Sequence, residues 1–396
     1  MQTTIIKIIL TTLVAIIIFG TGAGAGFALR DFVVDDQPTE EESEEFSLYW
    51  EVWHRVEEQF YGDIPTEPVS TYGAIKGALT TLDDPYTIFI EPEPAAQEKA
   101  QLEGQFGGIG AFVNRDEDGR VILDPMRDQP AEKAGLETND ILVAVDGTSL
   151  LPEMTTDEIV LMIRGEVGTT VVLTVEREGV EDPIDITIER AVIETPSAHW
   201  RVLEEDPAIG YIQLTAFTER SNSELDQAFD ELTGQGAETF ILDLRGNGGG
   251  LLDAAVDVAS QFIRNGVIVR EDRKSEGERT YNVRGGGKAL DQNLVVLVDG
   301  GTASASEIVA GALQDYDRAM LIGEKTFGKG SVQLIYELSD TSRLHVTVAK
   351  WFTPNGNEID GTGLAPDIEV LFTEEDHAEG RDPQLERAIS FLQNGE

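Results

Sequence analysis

Five consecutive apolar residues, Leu294 to Val298, run directly into Asp299-Gly300-Gly301 and then into the small-residue stretch Ala303-Ser304-Ala305-Ser306. An unbroken Val-rich run of that length is the pattern of a strand buried on both faces. The glycines break it, and Glu307-Ile308-Val309-Ala310-Gly311-Ala312-Leu313 then reads as helix. A buried strand that turns sharply into a helix commits this part of the chain to an α/β layer arrangement. The same turn exposes a hydroxyl beside the first unpaired N–H groups of the helix, where a nucleophile is reachable and an oxyanion can be stabilised. Taken alone, Ser304 reads first as an ordinary N-cap.

A nucleophilic serine needs a base, and histidine is scarce. The four histidines are His54, His199, His345 and His377, and His345 sits in the alternating run Leu344 to Val348. Each is expected to be structural or solvated. Lysine replaces histidine when burial lowers its pKa enough to leave it neutral near pH 7. Lys329 lies in Phe327-Gly328-Lys329-Gly330, where glycines permit close backbone approach and Phe327 is expected to dehydrate the amine. Lys325 competes, but Glu324 beside it favours a charged ammonium. Gln333, four residues after Lys329, is near enough to orient the amine without adding charge.

Together, Gly301-Thr-Ala-Ser-Ala-Ser-Glu-Ile-Val-Ala-Gly-Ala-Leu-Gln-Asp315 and Gly323-Glu-Lys-Thr-Phe-Gly-Lys-Gly-Ser-Val-Gln333 resemble the signature of the C-terminal processing peptidases, or tail-specific serine proteases. The resemblance implies that Ser304 is the nucleophile, that Lys329, twenty-five residues on, is the base, and that Gln333 supports it. Thr302 stands where that family usually has serine. The run Asp243-Leu-Arg245-Gly-Asn247-Gly-Gly-Gly250 resembles the family's D-L-R-x-N-P-G-G, with Gly248 in place of proline. By the same resemblance, an N–H of Gly249 or Gly250 joins that of Ala305 as oxyanion hole. Asp243 and Arg245 are expected to form a structural ion pair. The implied fold is an α/β, crotonase-like serine protease core with an inserted PDZ domain and a helical N-terminal segment behind a membrane anchor.

Composition removes several alternatives. A net charge of −45, from 29 basic against 74 acidic residues, lacks the cationic surface of a nucleic-acid binder. With no cysteine and no H-E-x-x-H pair, no disulfide, thiolate or zinc site is expected, and no cofactor is required. The glycine loop after Asp243 lacks G-K-[ST], so it does not read as a phosphate cradle.

Ile5 to Leu29 is almost wholly apolar and, at about 1.5 Å per residue, long enough to span a bilayer. The length of the run favours an uncleaved anchor, and with Lys7 before it and Arg30, Asp31, Asp35 and Asp36 after it, the acidic far side points to the N-terminus inside and the body exported. A cleaved signal at Gly22 to Ala25 is the rival, giving a secreted or periplasmic enzyme.

The chain therefore divides into an anchor or signal (1–30), an acidic linker (31–45), a helical segment (46–103), a PDZ domain (104–190), a protease core (193–373) and a helical tail (374–396). The helical segment ends its second helix at Asp83-Asp84-Pro85-Tyr86, a turn also found in the resembled family and read here as plain packing. The PDZ reading rests on Phe106 to Ala111, Pro130 to Leu136, Asn139 to Gly147, a helix near Thr155 to Arg164 and a strand near Thr170 to Glu176. Gly108, Ile109, Gly110 and Ala111 are the expected carboxylate loop for a peptide tail added as a strand. Arg164 matches an arginine that couples PDZ domain to active site in some relatives, and equally fits a helix-terminal cation.

The implied function is an endopeptidase that takes protein or peptide substrates with apolar C-termini and cleaves them through an acyl-enzyme. The alternative is a catalytically silent PDZ scaffold holding tails at the membrane, which would have no need of Lys329 or Gln333. The sequence leaves open the substrate, a homo-oligomer and an accessory activator.

Overall fold

The computed structural model describes residues 44, 46–116, 118–274 and 276–395. Ile5 to Leu29 lies outside them, and among the described residues no helix is long and apolar enough to cross a membrane. The chain divides after Thr71 into two compact units. In the first, helix α1 (Ser47–Gln59) carries the stripe of Leu48, Trp50 and Val52, yet none of its residues is buried.

Helix α2 (Val69–Thr80) runs into the second unit, where Tyr72 is buried and its hydroxyl donates to Asp340 at 2.8 Å. A short strand β1 (Ile88–Ile90) and helix α3 (Pro92–Glu103) follow. Proline at the start of α3 costs nothing, because its missing N–H would have been unpaired there. Gly104, at φ 68°, closes the helix in the left-handed region that suits glycine.

Next comes a small β-rich body. Strands β2 (Gln105–Gly108), β3 (Ala111–Arg115) and β4 (Val121–Pro125) precede the four-residue helix α4 (Pro130–Lys133). Strands β5 (Asp140–Val145) and β6 (Thr148–Ser149), helix α5 (Thr156–Ile163), and strands β7 (Thr170–Glu176), β8 (Ile184–Glu189) and β9 (Ala191–Glu194) complete it. β3-β4-β5-β7-β8 form an antiparallel sheet with β6 on β5, and β2 pairs with β9. Leu123, Leu142, Ile159, Val171, Leu173 and Val175 fill a core of its own. Thr155 caps α5 reciprocally with Glu158, its hydroxyl accepting the Glu158 N–H at 3.2 Å.

The larger body starts with strands β10 (Ala198–Val202) and β11 (Ile209–Leu214), helix α6 (Ser221–Gly234), strand β12 (Thr239–Asp243) and helix α7 (Leu252–Ser260). The N-cap of α6 is Arg220, and the Ser221 hydroxyl accepts the Thr218 N–H at 2.8 Å. Strands β13 (Val267–Arg273), β14 (Gly277–Asn282) and β15 (Leu294–Val298) lead to helix α8 (Ala305–Asp315) and strand β16 (Met320–Gly323). Strands β17 (Ser331–Glu337), β18 (Arg343–Phe352) and β19 (Ile368–Glu369) and helices α9 (Glu374–Glu379) and α10 (Pro383–Asn394) end the chain.

The central sheet has the order β10-β11-β12-β15-β16-β19, parallel from β11 onward. β15 is apolar throughout because both its faces are covered. Leu294, Val296 and Val298 enter the core shared with α6, α7 and α8, whereas Val295 and Leu297 meet the residues of α10. A second, antiparallel sheet runs β1-β18-β13-β14, with β17 on the other edge of β18. Mixed α/β content is therefore the fold class. The candidate site lies where α8 starts, between the two sheets' loops.

Candidate active site

The turn before α8 holds Ser304 at φ 56° and ψ −115°, a backbone state that L-residues with a Cβ avoid. Such a conformation costs on the order of 1–3 kcal/mol and persists only where surrounding contacts impose it. Those contacts are present. Thr302 is buried; its hydroxyl donates to the Leu244 carbonyl at 2.9 Å and accepts the Asp299 N–H at 3.0 Å. Threonine therefore does here what a serine hydroxyl would do. The Ala303 N–H donates to the Asn247 carbonyl at 3.0 Å, and the Ser306 hydroxyl donates to the same oxygen at 2.8 Å.

Glu307 is the fastener that sequence reading passed over. It is fully buried, and its Oε2 accepts the N–H of Ser304 and of Lys329, each at 2.9 Å. Oε1 accepts the Gly328 N–H at 2.7 Å and the Thr326 hydroxyl at 2.6 Å. One carboxylate thus ties the serine turn to the backbone of the lysine loop. The S-x-x-E spacing of Ser304 and Glu307 is the signal that marks it, because a glutamate three residues after a cap reaches back to the cap's N–H.

The glycine loop after β12 comes up against this turn. A Cβ on Gly249 would sit 2.8 Å from Ser304 Cβ and 2.9 Å from the Ala305 nitrogen, and its φ is 105°. Only glycine fits there. Of the expected oxyanion donors, Gly249 gives its N–H to Asn247 Oδ1 at 2.9 Å and so directs it away from the cavity. Gly250 and Ala305 both line the cavity. Below the loop, Arg245 forms the expected ion pair with Asp243 at 2.6 Å and a second with Asp382 of α10 at 2.9 Å.

A cavity of about 240 Å³ brings together Ser304, Ala305, Gly250, Lys329 and Gln333, and adds Glu98 and His345. Lys329 is partly buried, and burial holds its amine below the usual lysine range, against the opposing pull of Glu98. The expected shield is wrong, however: Phe327 is 59% exposed, and Lys329 Nζ lies instead over the ring of Tyr86, 4.8 Å from its centroid. Gln333 donates its amide to the Ser331 hydroxyl at 2.9 Å and to the Thr347 hydroxyl at 3.2 Å. Lys325 is exposed, and its neighbour Glu324 accepts the Phe372 N–H at 2.9 Å.

His345, expected to be structural or solvated, lines the cavity and pairs with a carboxylate. Its Nε2 lies 3.1 Å from Glu98 Oε2, which Arg343 also approaches at 3.3 Å. Burial works to raise the Glu98 pKa, but these two partners outweigh it and hold the carboxyl below its ordinary value. The signal was hidden because α3 and β18 are far apart in the chain. Among the described residues no cluster of His, Asp or Glu is arranged to hold a metal ion.

In the small β-rich body a second, apolar cavity of about 210 Å³ is lined by Gly108, Ile109, Gly110 and Ala111, with Phe106, Val160, Ile163 and Arg164. The loop between β2 and β3 is only Ile109-Gly110, since Gly108 and Ala111 already belong to strands. Arg164 stacks its guanidinium 3.9 Å from the Phe106 ring centroid, and its buried Nε has no hydrogen-bond partner. Burial lowers its pKa, against Asp157, which raises it.

Comparison with known proteins places this chain in a family. The profile of peptidase family S41 matches residues 208–370, and that of the PDZ domain matches residues 121–177. A carboxy-terminal-processing protease of Bartonella bacilliformis is 38% identical, covering 82% of this chain and 75% of its own length. A carboxyl-terminal-processing protease of Synechocystis is 37% identical, covering 82% of this chain and 77% of its own. Among solved structures, an S41 protease structure from Bacteroides fragilis superposes with a TM-score of 0.50 at 18% identity, over 87% of this chain and 95% of that one, a likeness of fold. At more than a third identity over three quarters of its relatives' length, the chain belongs to the S41 family of serine peptidases, among the carboxy-terminal-processing proteases.

Proposed function

We propose that this chain is an exported endopeptidase that reads substrate proteins by their C-terminal residues and cleaves them with Ser304 as nucleophile and Lys329 as base. The observation that carries the reading is the shared cavity. A serine held in a strained turn at a helix start opens onto the same 240 Å³ as a lysine whose burial favours the neutral amine. Ser304 Oγ attacks the scissile carbonyl carbon while its proton passes to Lys329 Nζ. The carbonyl oxygen becomes an oxyanion that accepts from the N–H groups of Ala305 and Gly250. Lys329 returns the proton to the amide nitrogen as the C–N bond breaks, freeing the new amine and leaving an ester on Ser304. Water, giving a proton to Lys329, then attacks that ester, and the proton returns to Ser304 Oγ as the acid product leaves. Gln333 borders the amine's path without adding charge.

The apolar cavity beside Gly108 to Ala111 supports recognition of an apolar terminal side chain, with the tail added as a strand to the sheet edge. Arg164, partly buried beside that cavity with its buried Nε unpaired, fits a link between tail binding and the protease core. The apolar segment Ile5 to Leu29 supports a body outside the cytoplasm, either tethered by an intact helix or released after cleavage. A silent scaffold has no use for the strained serine turn or the partly buried lysine.

The test is direct. A fluorophosphonate should label Ser304, and Ser304→Ala or Lys329→Ala should each abolish digestion of a model protein bearing an apolar tail. Loss of one oxyanion donor alone typically costs about 10²–10³ in rate, so removing either reacting group should cost more. Undiminished cleavage by Ser304→Ala would discard the reading.

A further inference from the structure

The turn Asp83-Asp84-Pro85-Tyr86 was expected to be plain packing, and in the fold its tyrosine meets Lys329, a residue that lines the cavity. Tyr86 is partly buried, with its ring 4.8 Å from Lys329 Nζ. The turn is firmly made. Asp84 Oδ1 accepts the Tyr86 N–H at 3.1 Å, and Asp84 Oδ2 accepts the Thr87 hydroxyl at 2.6 Å. Buried Thr87 then accepts the Thr347 N–H at 3.1 Å, and the Thr347 hydroxyl accepts the Gln333 amide at 3.2 Å. One turn therefore touches Lys329 directly and Gln333 through a single residue of β18.

We propose that the Asp84–Thr87 turn is the seat of the base, in which the Tyr86 ring positions the Lys329 amine and keeps water from it. The proposal rests on the reading of Ser304 and Lys329 as the reacting pair. An aromatic face attracts an ammonium through its quadrupole, which favours the charged form. The same ring excludes water, which favours the neutral form. Tyr86 is thus a positioning residue. It holds the amine inside the cavity in either state, while the balance of its two effects helps set where the base titrates. Among the described residues, the charged group that acts on this amine is Glu98 of α3, which is shared with Arg343 and His345 of β18, while Glu307 of α8 engages the Lys329 backbone N–H. None of these is supplied by the turn, so substituting Tyr86 leaves them in place.

The experiment uses the full-length chain with Tyr86→Phe, Tyr86→Leu and Tyr86→Ala. It measures kcat and KM on β-casein, and fluorophosphonate labelling of Ser304, from neutral to alkaline pH. Tyr86→Phe keeps the ring face and should retain wild-type rate and pH profile. Tyr86→Ala should lower kcat by about 10²-fold with KM little changed, the usual penalty for a reacting group left loose. Its acidic limb should move to higher pH as water reaches the amine. Tyr86→Leu stays dry but lacks the quadrupole, so its limb should move to lower pH. Wild-type kcat and an unmoved limb in folded Tyr86→Ala would overturn the proposal, as would Tyr86→Phe proving as damaging as Tyr86→Ala. Thermal unfolding checks each variant; if Tyr86→Ala does not fold, Tyr86→Leu carries the test alone, and an unmoved limb there counts against the proposal. Cleavage by Ser304→Ala would sink the underlying pair instead, whereas an inactive Ser304→Ala beside an unaffected Tyr86→Ala would sink only the role given to Tyr86.

Discussion

The two halves of the candidate site are built by different means. The serine half is made of backbone: Ser304, Ala303 and Thr302 are each fixed by main-chain or buried hydroxyl hydrogen bonds, and Gly249 presses against them too closely for any side chain. The lysine half is backbone only as far as Cα, where Glu307 holds the Lys329 N–H. Beyond that, the amine is placed by side chains from elsewhere, chiefly Tyr86 and Glu98. The position of Ser304, the proposed nucleophile, is therefore set by the backbone of the α/β core, whereas that of the Lys329 amine, the proposed base, depends on side chains that other segments bring to it.

The sharpest way to break this contrast is to cut the one group common to both halves. Glu307→Ala leaves the buried N–H groups of Ser304, Gly328 and Lys329 without an acceptor, together with the Thr326 hydroxyl. Unsatisfied buried donors cost about 1–3 kcal/mol each and are not additive, so urea unfolding should show a loss of roughly 3–5 kcal/mol. Activity should fall below detection, because the serine turn and the lysine loop lose their shared anchor. Glu307→Gln keeps an acceptor but brings an amide N–H toward donors, and should lie between Ala and wild type in both measurements. An active, fully stable Glu307→Ala would mean that the two halves are held together by something else.

A smaller effect separates the halves. Gly249→Ala forces a Cβ against Ser304 and the start of α8 at a φ that alanine rarely adopts. The serine half should shift by some tenths of an ångström while Lys329 stays where it is. The expected result is a fall in kcat of about 10²-fold, with the pH at which the acidic limb turns unchanged. The same loss accompanied by a moved limb would show that the two halves are less independent than their construction implies.

How much of this was legible in the sequence follows the same division. The serine half is local: an apolar run, paired glycines, small residues and a helix lie within about twenty positions, and strand, turn and helix formed where that pattern put them. The ion pair of Asp243 with Arg245 is likewise a matter of two residues. The lysine half is assembled from segments that sequence proximity does not connect. Phe327, two positions from Lys329, was the natural choice for a shield, yet it faces solvent, because the backbone at Gly328 turns against Gly361 to Gly363 with φ at 95°. Tyr86 and Glu98 take the places around the amine because β1 pairs with β18 in antiparallel register, Ile88 opposite His345, which carries the adjoining turn and α3 to the cavity. No periodicity announces a three-residue strand of that kind. The partner of His345 was hidden for the same reason, since its alternating strand was visible and Glu98 on α3 was not.

The least effect, and the one that isolates the base, is on stability as a function of pH. Burial depresses the Lys329 pKa in the folded protein, so between that value and the ordinary lysine range near 10.4 the unfolded chain binds the extra proton. Stability from this group must therefore rise as pH increases through that window, because ν for the unfolded state exceeds ν for the native state. Tyr211 acts in the opposite sense. Burial first, and then the Asp243 carboxylate, push its phenol well above the usual tyrosine value, so its ionisation favours unfolding only once pH passes about 10. Below that point the two do not mix. Lys329→Met, which keeps the cavity filled and removes the titration, should flatten the alkaline rise measured by denaturant unfolding at a series of pH values. It should also be the more stable protein on the acid side of the window, where the native lysine must be carried as a desolvated cation. If the two unfolding curves run parallel across the whole range, the amine is solvated in the resting protein, and the chemical difference between the two halves of the site disappears.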